Sequence, residues 1–189
     1  MSNFGDIRSS DPIHEVVTAY SSRPMSPTTG QEIVYAPTTL GENGQPPYWL
    51  LRYDGTYWRC IGGVPVYDLV TAAESTTSGT ATNLTTDGPS LTIDWPGIYR
   101  HGFGCRTYCS SATKAAMIAG LHINAVLTDN YDIWNTGVGA FTVLSPWLEG
   151  ECSVSTSGHV AKLMYWTSSS ISVVFQNRRL TMVPLRLNA

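Results

Sequence analysis

Apolar and polar residues alternate along most of this chain with a period of two, the spacing of strands rather than helices. The best-specified stretch is YWLLRYDGTYWRCIGG, residues 48–63. Its Asp54-Gly55 pair predicts a two-residue hairpin turn, because the central positions of that turn need φ > 0. Pairing about it sets Tyr53 opposite Thr56, Leu51 opposite Trp58 and Trp49 opposite Cys60. One face then carries Trp49, Leu51, Tyr53, Thr56, Trp58 and Cys60, nearly all apolar, and burial is expected for it. The other carries Tyr48, Leu50, Arg52, Tyr57, Arg59 and Ile61, its arginines placed to lie over tyrosine rings or meet a partner's carboxylates. A lone hairpin is marginal in water, so this one must pack on the rest of the chain or on another subunit.

Residues 1–30 look irregular, with a short helix expected over 13–20 behind Ser9-Ser10-Asp11-Pro12. GQEIVYAP reads as a strand with Ile33 and Tyr35 opposite Val34, and residues 38–47 as a loop. The small, polar residues 71–88 read as a linker. They divide the chain into 1–70, an arm and hairpin, and 89–189, a β domain. In that domain Leu91 and Ile93 precede a turn at Trp95-Pro96-Gly97. Tyr99, His101, Phe103, Cys105 and Thr107 then share one face. Residues 115–126 are Ala-rich, yet Met117, Ala119, Leu121 and Ile123 alternate with their neighbours, and Gly120 argues against a helix. A loop is expected over 128–139, strands over 141–144 and 159–167, and a closing strand pair, 171–176 and 180–187, with Arg178-Arg179 at its turn as a solvated pair. The fold class is all-β: an antiparallel jelly-roll sandwich preceded by an N-terminal arm and an aromatic β-hairpin.

Composition sharpens this picture. Charged residues are 13%, about half the usual share, and serine, threonine and glycine fill the difference. Such a surface suits members of large assemblies and also secreted β proteins. Net charge is −3 with no Lys/Arg run, which argues against a nucleic-acid partner. No apolar run approaches the ~18 residues of a membrane span, and the N-terminal stretch has no secretory pattern, so assembly in a cytosol is expected. Cys60, Cys105, Cys109 and Cys152 include no C-x-x-C; Cys105 and Cys109 on one strand would lie roughly 13 Å apart, too far for a disulfide. Thiols are expected for all four.

The chemistry-bearing residues make no constellation. His101, His122 and His159 have no metal-ligand spacing, and Asp129-Asn130-Tyr131-Asp132 lacks the Gly and distal Glu of a calcium loop. No G-x-S-x-G elbow occurs, Gly102-x-Gly104 lacks a third glycine, and only proximity recommends Glu149 and Glu151 as a glycosidase pair. The expectation is no enzyme, with no catalytic residue, metal or cofactor. Aromatics stand out instead: Tyr131, Trp134 and Trp147, in expected loops, are candidates for stacking on a sugar or anchoring a protein.

The order GQEIVYAP, the hairpin ending in Gly62-Gly63-Val64-Pro65, a Ser/Thr-rich stretch and a β domain resembles virion proteins of tailed bacteriophages. The second half, opening on LTIDWPGIYRHGFGC and closing on ISVVFQNRRLTMVPLRL, is similar to tumour-necrosis-factor-like jelly rolls. The resemblance implies a homotrimer that decorates a capsid as a cement protein. The implied partners are the chain itself and a major capsid or tail protein. The alternative is a tail or head fibre module that binds a host surface glycan. On this reading Phe4, Ile7 and Ile13 of the arm and Trp49, Arg52, Tyr57, Trp58 and Arg59 of the hairpin are the interface candidates.

Overall fold

The computed structural model describes residues 14–37, 48–109, 116–134, 144–168 and 170–189. Two sheets face each other. The nine-stranded one runs β1 (Glu15–Val17), β2 (Glu32–Tyr35), β3 (Trp49–Tyr53), β4 (Tyr57–Gly63), β13 (Val173–Asn188), β8 (Gly97–Cys109) and β11 (Trp147–Val154). Strands β5 (Val66–Val70) and β6 (Glu74–Thr76) also pair with β13. The four-stranded sheet runs β10 (Val126–Trp134), β9 (Ala116–Ile123), β12 (His159–Thr167) and β7 (Ser90–Ile93).

From β5 onward the order is that of a jelly roll. β5 and β6 occupy one edge position in turn, after which the chain changes sheet at every step except the β9–β10 hairpin, and the last strand returns between that edge and β8. One sheet therefore reads β5/β6–β13–β8–β11 and the other β7–β12–β9–β10. The polar stretch 71–88 contains β6, whose backbone pairs with β13 although its side chains show no apolar alternation. The aromatic hairpin extends the roll's own sheet, with Trp58 opposite Leu187 and Arg59 opposite Arg186.

An aromatic cluster joins the hairpin to the roll. Trp95 is fully buried, with Tyr35, Tyr20 and Trp58 at ring-centroid distances of 5.0, 5.9 and 6.5 Å. Its polar edge is satisfied: Trp95 Nε1 donates to Asn188 O at 2.7 Å, and Tyr99 Oη donates to Trp95 O at 2.6 Å. Burial of aromatics from both sources makes the hairpin part of one core.

Four local expectations are corrected. The hairpin pairs Tyr53 with Trp58 and Leu51 with Cys60, two residues from the expected register. The cause is Asp54, whose Oδ1 accepts the N–H groups of Thr56 and Tyr57 at 2.8 and 2.7 Å and widens the loop. Because the shift is even, Leu51, Tyr53, Trp58 and Cys60 stay on one face and Arg52 and Arg59 on the other, whereas Thr56, expected on the buried face, lies exposed in the turn. The short helix over 13–20 is replaced by β1, parallel to β2, and a 3-10 turn at Tyr20–Ser22; Val16 and Val17 favour the extended form. Residues 126–134 are strand rather than loop, because Asn124 and Ala125 turn the chain at φ 50° and 66°. Alanine is a rare occupant of that region, which is why no turn signal showed. The closing strands are one strand, interrupted by a bulge at Asn177 (φ 50°).

Candidate functional site

The two sheets present unlike faces to solvent. On the nine-stranded sheet the outward positions carry Arg52, Arg59, Arg100, Arg106, Arg179 and Arg186. Arg52 pairs with Glu32 and Arg59 with Asp54. Arg59 and Arg186 share the Tyr57 ring, at 5.6 and 5.1 Å, and Arg179 lies 4.5 Å over Tyr67. The Asp54 carboxyl is held down to about 2 by the Tyr57 N–H, then by Arg59 and the Thr56 N–H. The Glu32 carboxyl is also lowered, first by His14 and then by Arg52. These pairs are solvent-screened and contribute little to stability.

The outward face of the four-stranded sheet is apolar. Met164 and Trp166 of β12 stand opposite Gly120 and Ile118 of β9. The Trp166 ring and Leu127 converge on the space above Gly120, and His122 meets Trp166 edge-on at 6.3 Å. Val160 and Leu127 are 38% and 48% exposed, and every residue of β9 is buried. Among the described residues, the charged ones at outward positions of this face are Lys162 of β12, which pairs with Asp87 at the rim, and Asp132 of β10, in register with Ile118.

Between the sheets lie the ionisable groups that the strand pattern did not reveal. Arg178 is turned inward by the Asn177 bulge, with an exposure of 0%. It was expected to be solvated; instead its Nη2 bonds Glu74 Oε2 at 3.1 Å, and its Nη1 donates to the carbonyls of Thr86 and Gly88. Its guanidinium lies 5.4 Å over the Tyr165 ring. The Glu74 carboxyl is lowered by the Thr86 hydroxyl above all, with Arg178 adding to it. Arg178 thereby ties the 71–88 stretch to β13. His101 of β8 meets Asp129 of β10 across the sandwich, Nε2 to Oδ2 at 3.2 Å. The neighbouring Cys152 thiol is pushed up to about 11, by burial and then by Asp129, so it is no thiolate nucleophile near neutral pH. Cys105 and Cys109 are buried thiols on β8, and Cys60 is half-buried. Among the described residues no group of three His, Cys, Asp or Glu side chains is placed to hold a metal ion.

Of the interface candidates, Trp49 and Trp58 are buried within the chain, while Arg52 and Arg59 are exposed and Tyr57 is half-buried. Phe4, Ile7 and Ile13 lie outside the described residues, as do 141–143 of the expected strand 141–144. Tyr131 and Trp134 fall on β10, opposite Ala119 and Ala116, rather than in a loop. Trp147 opens β11 and is 48% exposed. The residues that sequence reasoning passed over are Met164 and Trp166. Their alternation with Leu163 and Tyr165 was visible, but both faces of that strand are apolar, so nothing told inside from outside.

No family model and no curated protein matches the sequence. Among solved structures the chain is similar to the subunit of T=1 particles derived from infectious bursal virus, at 11% identity and a TM-score of 0.44, over 87% of this chain and 55% of that one. It is also similar to the CBM22-1 xylan-binding domain of Paenibacillus barcinonensis Xyn10C (13% identity, TM-score 0.33, 84% of this chain and 99% of that one). A third is the insecticidal delta-endotoxin Cry8Ea1 of Bacillus thuringiensis (14% identity, TM-score 0.37, 66% and 20%). The chain thus spans about half of the viral subunit and a fifth of the toxin. Fold and faces together define a β-sandwich of jelly-roll topology with one hydrated and one apolar outer surface.

Proposed function

We propose that the protein is a non-enzymatic virion structural protein, a homotrimer that decorates and stabilises the shell of a tailed bacteriophage. The observation that carries this reading is the apolar outward face of the four-stranded sheet, around Met164, Trp166, Leu127 and Val160. A monomer gains nothing from keeping such a patch wet, whereas three copies that cover it remove apolar area from water. Residues 1–70 then serve as the gripping part, with the arm ahead of β1 and the surface of the hairpin, Arg52, Tyr57 and Arg59, against the capsid or tail protein. The clamp works mechanically, by adding interface area between neighbouring shell subunits. Particles banded from a lysate of the source host and analysed by mass spectrometry test it: the chain is expected in many copies per particle. Recovery only in the particle-free fraction overturns it.

A further inference from the structure

Trp147 is the exception on the arginine-bearing face. Its ring lies flat over two glycines of β8. A Cβ placed on Gly102 would meet Trp147 Cζ2 at 2.6 Å and Thr181 Oγ1 at 2.9 Å, and one on Gly104 would meet Trp147 Cε3 at 2.9 Å. A side chain on Gly102 would lift the ring, and one on Gly104 would strike the Pro146 carbonyl oxygen as well. Its edge is fixed as well, because Trp147 Nε1 donates to Glu149 Oε1 at 2.9 Å. The ring is therefore held in one orientation while 48% of the residue faces solvent.

Strand register places a shelf around it. One row across the sheet reads Trp147, Gly104, Arg179, Leu69; the row beside it reads Glu149, Gly102, Thr181, Tyr67. Trp147 on β11 and Tyr67 on β5 are three strand spacings apart, about 14 Å. The glycines let the Trp147 ring lie low over β8, Thr181 and Arg179 of β13 come next, and Tyr67, capped by Arg179, forms the far wall. Thr181 Oγ1 donates to Gly102 O at 3.0 Å, which turns its lone pairs outward as acceptors. The Glu149 carboxylate beside the ring accepts hydroxyl protons and repels an anion.

We infer that this shelf is a binding site for a neutral oligosaccharide, with one pyranose stacked on Trp147 and its hydroxyls shared between Glu149 and Thr181. A sugar's C–H face carries partial positive charge and meets the negative face of the indole, which supplies affinity without a deep pocket. The acid beside the stacking ring selects neutral sugars over uronates and sialic acids at that position. This site sits on the sheet opposite the apolar face, so its failure leaves the trimer reading standing.

The test is an array of defined bacterial and plant oligosaccharides probed with the full chain, followed by calorimetry with the best neutral binder. Saturable binding is expected, weakened at least about tenfold in Trp147→Ala at an unchanged melting temperature. Gly102→Ala, which displaces the ring without removing it, is expected to weaken binding too. Absence of binding to every neutral glycan, or equal binding by Trp147→Ala, overturns the inference and leaves the ring as a cover for the two glycines.

Discussion

The two outward faces of this sandwich use the same β-geometry to opposite ends. On the nine-stranded sheet, arginines lie over tyrosines and against carboxylates, and water reaches every pair. On the four-stranded sheet, Trp166 and Leu127 close over Gly120 with Met164 in register beside it, and charge enters with Lys162 at the rim and Asp132 on β10. The first face carries its charges in water; the second exposes apolar area at Val160 and Leu127. Overall charge, spread thinly along the chain, conceals this division; strand register reveals it.

The largest effect expected from a substitution in the charged half comes from the arginine that does not face water. Arg178 and Arg179 are adjacent on β13 and point to opposite sides. Arg178→Met leaves Glu74 with Thr86 as its remaining partner and two carbonyls without their donor, at a cost of about 3 kcal/mol, read as a lower urea midpoint. An effect as small as that of a surface pair would show that the segment around Glu74 is held by other means.

Arg59→Ala, on the hydrated face, is expected to leave the midpoint nearly unchanged, since its pair with Asp54 is screened. The smallest effect is on pH dependence. The Asp54 carboxyl sits near 2 in the folded chain, below its ordinary value of about 3.9. A depressed folded pKa contributes stability above the unfolded value and loses it as pH falls toward the folded one. Melting temperature should therefore fall between about pH 4 and pH 2, and Asp54→Asn should flatten that part of the profile. An unaltered acid limb would remove Asp54 from the account.

Much of the architecture was legible from alternation alone. The hairpin faces, the turn at Trp95-Pro96-Gly97 and the strand character of the Ala-rich segment all follow from period-two patterning. What escaped was set by tertiary contacts. β6 is held by backbone pairing to β13 and by Glu74 on Arg178, neither of which leaves an apolar trace. Asn177 and Ala125 adopt φ > 0 without glycine, so a bulge and a turn went unseen. Trp147 was picked out as an exposed aromatic, but the part played by Gly102 and Gly104 beneath it needed the register of β8 against β11.

The measurement that bears most directly on the central claim is native mass by light scattering after size exclusion, with wild type and Trp166→Glu run side by side. The account predicts three times the 20.6 kDa chain for the wild type and a folded monomer for the variant, because a carboxylate at the centre of a buried apolar interface is strongly unfavourable. A monomeric wild type, or a variant that still runs as a trimer, would contradict the assignment of the four-stranded sheet as the face through which the copies assemble.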